Sequence, residues 1–106
     1  MKKSNLEIEK ILTLSTAHID TDTFLWLEDE VEKTRSETSP APTVIVYDKC
    51  GGWFIFTGEI VFEDIDIFAI PKSLYDCMKL ARKNDCAWLC LDRDASETDL
   101  LPKYEW

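Results

Sequence analysis

The side chains able to do chemistry in this sequence are few and scattered. His18 is its only histidine, and it falls where an apolar segment gives way to Asp20, Thr21 and Asp22. Imidazole is the side chain that titrates nearest neutral pH, and sites collect at strand ends in α/β folds, so a general base or ligand is the role to test. Asp92 and Asp94 flank Arg93 just after the last strong apolar run. Paired carboxylates at the carboxyl end of a strand are a donor set for Mg2+. One enzymatic reading follows: a metal-dependent activity centred on His18, Asp92 and Asp94, which requires the three to converge in one pocket. Ser15, Cys50 and Asp20 are near His18 only in sequence, and no glycine-rich phosphate loop accompanies the acids. The simpler expectation is a hydrogen-bonded structural histidine, with an aspartate turn in which Arg93 neutralises its neighbours.

The cysteines stand at 50, 77, 86 and 90, without a C-x-x-C pair. Cys86 and Cys90 on one strand would project to the same face about 13 Å apart, too far to share a metal. Their apolar surroundings suit buried, reduced thiols rather than a disulfide framework. No metal and no cofactor is expected. Trp26, Trp53 and Trp88 are expected to supply core area, whereas Trp106 either docks back on the sheet or anchors a partner.

Charge is the dominant compositional feature. Asp and Glu number 21 against 12 Lys and Arg in 106 residues, a net charge of −9. Such a surface repels polyanions, which disfavours direct binding to nucleic acid or to an anionic membrane. The acids gather at Glu28, Asp29, Glu30 and Glu32, and again at Glu63, Asp64 and Asp66. A continuous cluster of this kind suits a protein partner with a basic surface, and nucleic-acid-binding proteins own large basic grooves. Glu28, Asp29, Glu32, Asp64 and Asp66 are the candidate partner-binding residues.

The elements that must position these groups can be read from periodicity. Ile11 to Ile19 alternates as a strand, with Leu12 and Leu14 on one side. Asp20 and Thr21 offer caps for an amphipathic helix over 22–37, carrying Phe24, Leu27 and Val31 inward and the acids outward. Pro40 and Pro42 mark a loop. Thr43 to Tyr47 reads as a strand central in a sheet; residues 48–52 form a turn, and Trp53 to Thr57 returns antiparallel. Ile60 to Phe62 extends that strand or begins an edge. Pro71 opens a second helix through Lys83, where Leu74, Cys77, Met78 and Ala81 share a face and Asn84 provides a left-handed stop. Ala87 to Leu91 is the last strand.

The implied architecture is α+β: two helices on a four- to five-stranded, mostly antiparallel sheet, in the order β-α-β-β-α-β, with a ferredoxin-like topology as one candidate. At this length residues 1–106 make a single domain. No segment is long and apolar enough to span a bilayer, and the start of the chain runs into charge rather than a signal core, so a cytoplasmic protein is expected.

Four stretches carry a resemblance: 14–19 (LSTAHI), 52–55 (GWFI), 86–94 (CAWLCLDRD) and 101–106 (LPKYEW). They make the chain similar to a family of small uncharacterised domains in bacterial accessory genomes, on plasmids, integrative elements and phages. The resemblance assigns no residue a role. It implies a context in which small acidic proteins inhibit host defence, as anti-restriction and anti-CRISPR proteins do. The leading expectation is a non-enzymatic binding protein that occupies a basic nucleic-acid-binding surface. The metal-dependent enzyme and a dimeric regulatory module are the alternatives.

Overall fold

Leu12, Leu14, Leu89 and Leu91 recur at the two-residue period of a strand, and every one of them faces the same way. In the computed structural model, which describes residues 6–36, 42–57 and 69–105, they belong to two strands lying side by side. The elements are β1 (Ile11–Ser15), α1 (Thr21–Arg35), β2 (Val46–Lys49), β3 (Gly52–Phe56), α2 (Lys72–Lys83) and β4 (Trp88–Asp92), with a 3-10 turn over Thr16–His18. The described strands form one sheet in the order β1-β4-β3-β2. β4 runs parallel to β1 and antiparallel to β3, and β3 runs antiparallel to β2.

Two helices on a four-stranded sheet in the order β-α-β-β-α-β is the α+β architecture expected from the sequence. Its details differ. The sheet is mixed, and β1 takes an edge beside β4 instead of lying inside, so the ferredoxin-like candidate is not the arrangement adopted. β2, expected to be central, is the opposite edge among the described strands. An inner position falls to β4, which is paired on both edges by β1 and β3 and buries Leu89, Cys90 and Leu91 in succession. The first strand ends at Ser15, four residues early, because the Ser15 hydroxyl accepts from Ala17 N and turns the chain into the 3-10 segment.

Register places Leu12, Leu14, Val46, Trp53, Ile55, Leu89 and Leu91 on the face toward the helices. Leu27 and Val31 of α1 and Leu74, Cys77, Met78 and Ala81 of α2 complete one core with Ile19 and Ile70. Asp20 caps α1 by accepting from Thr23 N at 2.9 Å. The Thr23 hydroxyl, fully buried, bonds Asp20 Oδ1 and lies 2.8 Å from Ser73 Oγ, which ties the starts of both helices together. Thr23 and Ser73 hydrogen bonds to the cap hold the Asp20 carboxyl below its usual 3.8, the Thr23 hydroxyl contributing most. At the other end of α2 the left-handed residue is Asp85 (φ 61°), one position after the expected Asn84.

Tight turns fix the β2–β3 hairpin. Lys49 pairs with Gly52, leaving Cys50 and Gly51 as a two-residue loop, and Gly51 supplies the positive φ of 82° that such a loop demands. Gly52 is required for another reason: a Cβ there would come 1.7 Å from Leu91 O of β4.

Candidate interaction site

Of the three side chains of the enzymatic reading, His18 and Asp92 are engaged elsewhere and Asp94 is exposed. His18 is buried, its Nδ1 lies 2.8 Å from Pro102 O and its Nε2 accepts from Thr98 N at 3.0 Å. Both ring nitrogens are used to hold the C-terminal segment against the 3-10 turn, a contact extended by Tyr104 N donating to Ala17 O at 2.8 Å. Because Nε2 faces a donor, the proton sits on Nδ1 and the ring is a spacer between two backbone groups. Asp92 accepts from Lys49 Nζ at 2.9 Å and from Asp94 N at 2.9 Å. These two bonds, the backbone one first, depress its carboxyl, and Asp92 in turn raises Lys49. Asp94 is exposed in the turn that Asp92 caps. No cluster of three or more His, Cys, Asp or Glu with metal-binding geometry occurs among the described residues.

The thiols fit the same pattern. Cys77, Cys86 and Cys90 are buried and unpaired, and Cys50 alone is exposed, at the hairpin tip. Burial pushes the Cys77 thiol up to about 12, the opposite of an activated nucleophile.

The partner-binding candidates on α1 do project outward together. Glu28, Asp29 and Glu32 are all exposed on the helix. Glu30, one residue from them, turns inward, where its Oε1 accepts from Thr43 N at 2.6 Å and Val44 N at 2.9 Å. That buried carboxylate clamps the segment leading into β2 to α1. Two of the outward three are partly neutralised, Asp29 meeting Lys33 at 3.2 Å and Glu32 meeting Arg35 at 3.1 Å, while Glu28 accepts from the uncharged Trp53 indole at 3.2 Å. Asp29, then Glu30, raises the Lys33 ammonium. Asp64 and Asp66 lie outside the described residues, as do Ile60 to Phe62 and Trp106. Charge is nevertheless polarised, since α1 carries five acids against two bases and α2 four bases against one acid.

A different surface emerges on the far side of the sheet. Register puts Ile11, Trp88 and Phe56 in one row across it, and Thr13, Cys90, Phe54 and Tyr47 in the next. Phe56 and Trp88 rings are 5.0 Å apart, Tyr47 and Trp88 6.3 Å. Neither described helix lies on this face. Tyr47 is 52% and Ile11 47% exposed, and Phe54, Phe56 and Trp88 are half-buried. The rows are bounded by Glu9, which accepts from the Trp88 indole at 2.8 Å, and by the Lys49–Asp92 ion pair. Together Glu9, Ile11, Tyr47, Phe54 and Trp88 border a shallow depression of about 550 Å3. The sequence reading assigned Trp88 to the core and missed this surface. The available signal was the phase of the alternation: in Trp53-Phe54-Ile55-Phe56 both faces are apolar, so one must be left over once the other meets the helices.

Among known protein families, residues 11–106 match the one described as "Family of unknown function (DUF5983) C-terminal domain". No curated protein and no solved structure matches the chain.

Proposed function

The chain belongs to the DUF5983 family, whose function is unknown, and from its own surfaces we propose that it is a non-catalytic protein-binding domain docking through the open aromatic face of its sheet. The observation that carries this reading is the contiguous Ile11, Tyr47, Phe54, Phe56 and Trp88 surface, because apolar patches on a soluble domain mark interaction sites and aromatic side chains dominate binding energy. The net charge of −9 selects the partner's sign: a basic protein is drawn in and acidic competitors are repelled. With the resemblance to domains of bacterial accessory genomes, the specific form of the proposal is an inhibitor of a host defence complex, acting in the cytoplasm by covering a basic nucleic-acid-binding surface.

A second reading rests on α1, where Glu28, Asp29 and Glu32 face outward on one rigid helix. In that version the carboxylates, not the aromatics, form the contact. Partner capture with three baits separates the two: the native chain, a sheet-face variant (Ile11→Ser with Tyr47→Ser), and an α1 reversal (Glu28, Asp29 and Glu32 to Lys). The sheet reading expects the first variant to lose the partner and the second to retain it with a slower, less salt-sensitive association, because part of the attraction that salt screens has been removed. Loss only on α1 reversal transfers the function to the helix, and retention by both variants removes both readings.

A further inference from the structure

Outside that face, the helix side of the molecule holds a cavity of about 320 Å3 lined by Thr16, Phe24, Gly51, Gly52, Trp53 and Arg93. Four chain segments converge to make it, α1 contributing Phe24. β1 and β4 are parallel and end in register at Ser15 and Asp92, so Thr16 and Arg93 emerge next to each other at their carboxyl ends. The β2–β3 hairpin closes the third side, pinned by Arg93 N donating to Gly51 O at 2.9 Å. The carboxyl ends of parallel strands are where open sheets bind ligands, since the chain diverges there and leaves a crevice.

The lining has two chemical parts. Phe24 and Trp53 form an edge-to-face pair, with centroids 5.2 Å apart and planes at 83°, which presents aromatic surface from two directions. The Trp53 indole N–H is already given to Glu28, so this residue offers the cavity a ring and no donor. The polar part is Arg93. Its side chain lies across Gly51, whose missing Cβ would sit 3.3 Å from Arg93 Nε, and it forms no ion pair among the described residues, because Asp92 turns to Lys49 instead. Arg35 is taken up by Glu32 and Asp48, whereas Arg93, exposed at the rim of the cavity, has no carboxylate within ion-pair distance among the described residues. A guanidinium presents a planar fork of donors matched to a carboxylate, and Thr16 adds a hydroxyl.

We propose that this cavity binds a small aryl carboxylate, its ring against Phe24 and Trp53 and its carboxylate on Arg93. The volume lies at the low end of the roughly 300–1,000 Å3 seen for small-molecule sites, which favours a single ring over a nucleotide or a larger cofactor. The site uses the opposite side of the sheet from the aromatic docking face, so the two assignments stand or fall separately.

The test is titration of the isotope-labelled chain with phenylacetate, followed by amide and indole chemical shifts. A ligand of this size is expected to bind with a dissociation constant of about 1 mM, moving the Thr16, Gly51 and Gly52 amides and the Trp53 indole in one saturable process. Neutral phenylacetamide on the native chain, and phenylacetate on Arg93→Gln, are each expected to bind at least about tenfold more weakly, since the charge-assisted pair is lost. Lys83→Gln, which removes an exposed cation elsewhere, leaves the affinity unchanged. Shifts that map to other residues, equal binding of the neutral amide, or inorganic phosphate saturating the same amides as tightly as phenylacetate would each overturn the proposal. An unsaturated titration on native chain with an intact spectrum does so as well.

Discussion

Replacing His18 by alanine is expected to cost the fold about 3 kcal/mol, and the reason is the backbone on either side of the ring. The imidazole donates from Nδ1 to Pro102 O and accepts at Nε2 from Thr98 N, at 2.8 and 3.0 Å. Each such bond contributes about 1 kcal/mol net. The ring is also essentially inaccessible, so its removal opens a void whose partial collapse adds about 1 kcal/mol more. Urea denaturation at fixed pH measures the total, read as a shift of midpoint at constant slope. A second readout separates anchoring from general packing. Hydrogen exchange at Thr98 and at Tyr104, whose N–H bonds Ala17 O, is expected to lose protection in the variant well before the β3–β4 amides do. His18→Gln, able to supply one donor and one acceptor, should recover part of the loss. In the native chain the ring should show the nitrogen shifts of the Nδ1–H tautomer. A loss below about 1 kcal/mol with unchanged exchange at Thr98 would refute the structural role and return His18 to the candidates for chemistry.

Further expectations follow from the caps, the hairpin and the thiols. The Asp20 carboxyl is held below 3.8 by Thr23 and Ser73, so its contribution to stability is complete above that value and is lost as pH falls through the lower folded one; Asp20→Asn should flatten this part of an acid-unfolding curve. Gly52→Ala forces a methyl against Leu91 O of the neighbouring strand and should destabilise by about 3 kcal/mol or more, measured by thermal unfolding, while Gly51→Ala costs about 1 kcal/mol for its positive φ alone. Among the cysteines, Cys50 should react with a thiol reagent within minutes in the native state, and Cys77, its thiol raised to about 12 by burial, only on unfolding.

What the sequence disclosed and what it withheld divide along a physical line. Local signals were sufficient for the helices, because α1 and α2 each advertise a 3.6-residue apolar stripe and a capping residue, and both begin and end within two residues of where Asp20, Pro71 and the basic last turns place them. The Asp92–Asp94 turn was equally legible, since the Asx hydrogen bond is local. Strand order was not. Nothing within Ile11–Ser15 says that it will lie parallel to β4, seventy-odd residues on, nor that Thr43 to Tyr47 will give an edge strand. The candidate site suffers from the same gap: Thr16, Gly51 and Arg93 meet only through that parallel pairing, and the acids on α1 find Lys33 and Arg35 through the helix period but Trp53 through the fold.

The open face of the sheet is a consequence of how the chain uses its length. Four strands spaced about 4.8 Å apart make a surface that two helices, each about 10 Å across, can cover once. Both described helices go to the same side, because Leu12, Leu14, Trp53, Ile55, Leu89 and Leu91 offer a continuous apolar floor there and a single buried layer captures the most area. Polar residues on the second face would let the isolated domain stop at that. The chain instead keeps Tyr47, Phe54, Phe56 and Trp88 on it and carries a charge of −9 that resists stacking of one copy on another. Aromatic surface combined with self-repulsion has a natural resolution in a partner of opposite charge, which relieves the repulsion in the same step that removes the rings from water. If the sheet-face variant (Ile11→Ser with Tyr47→Ser) proved as tightly partnered as the native chain, that account of why the second face stays apolar would have to be abandoned.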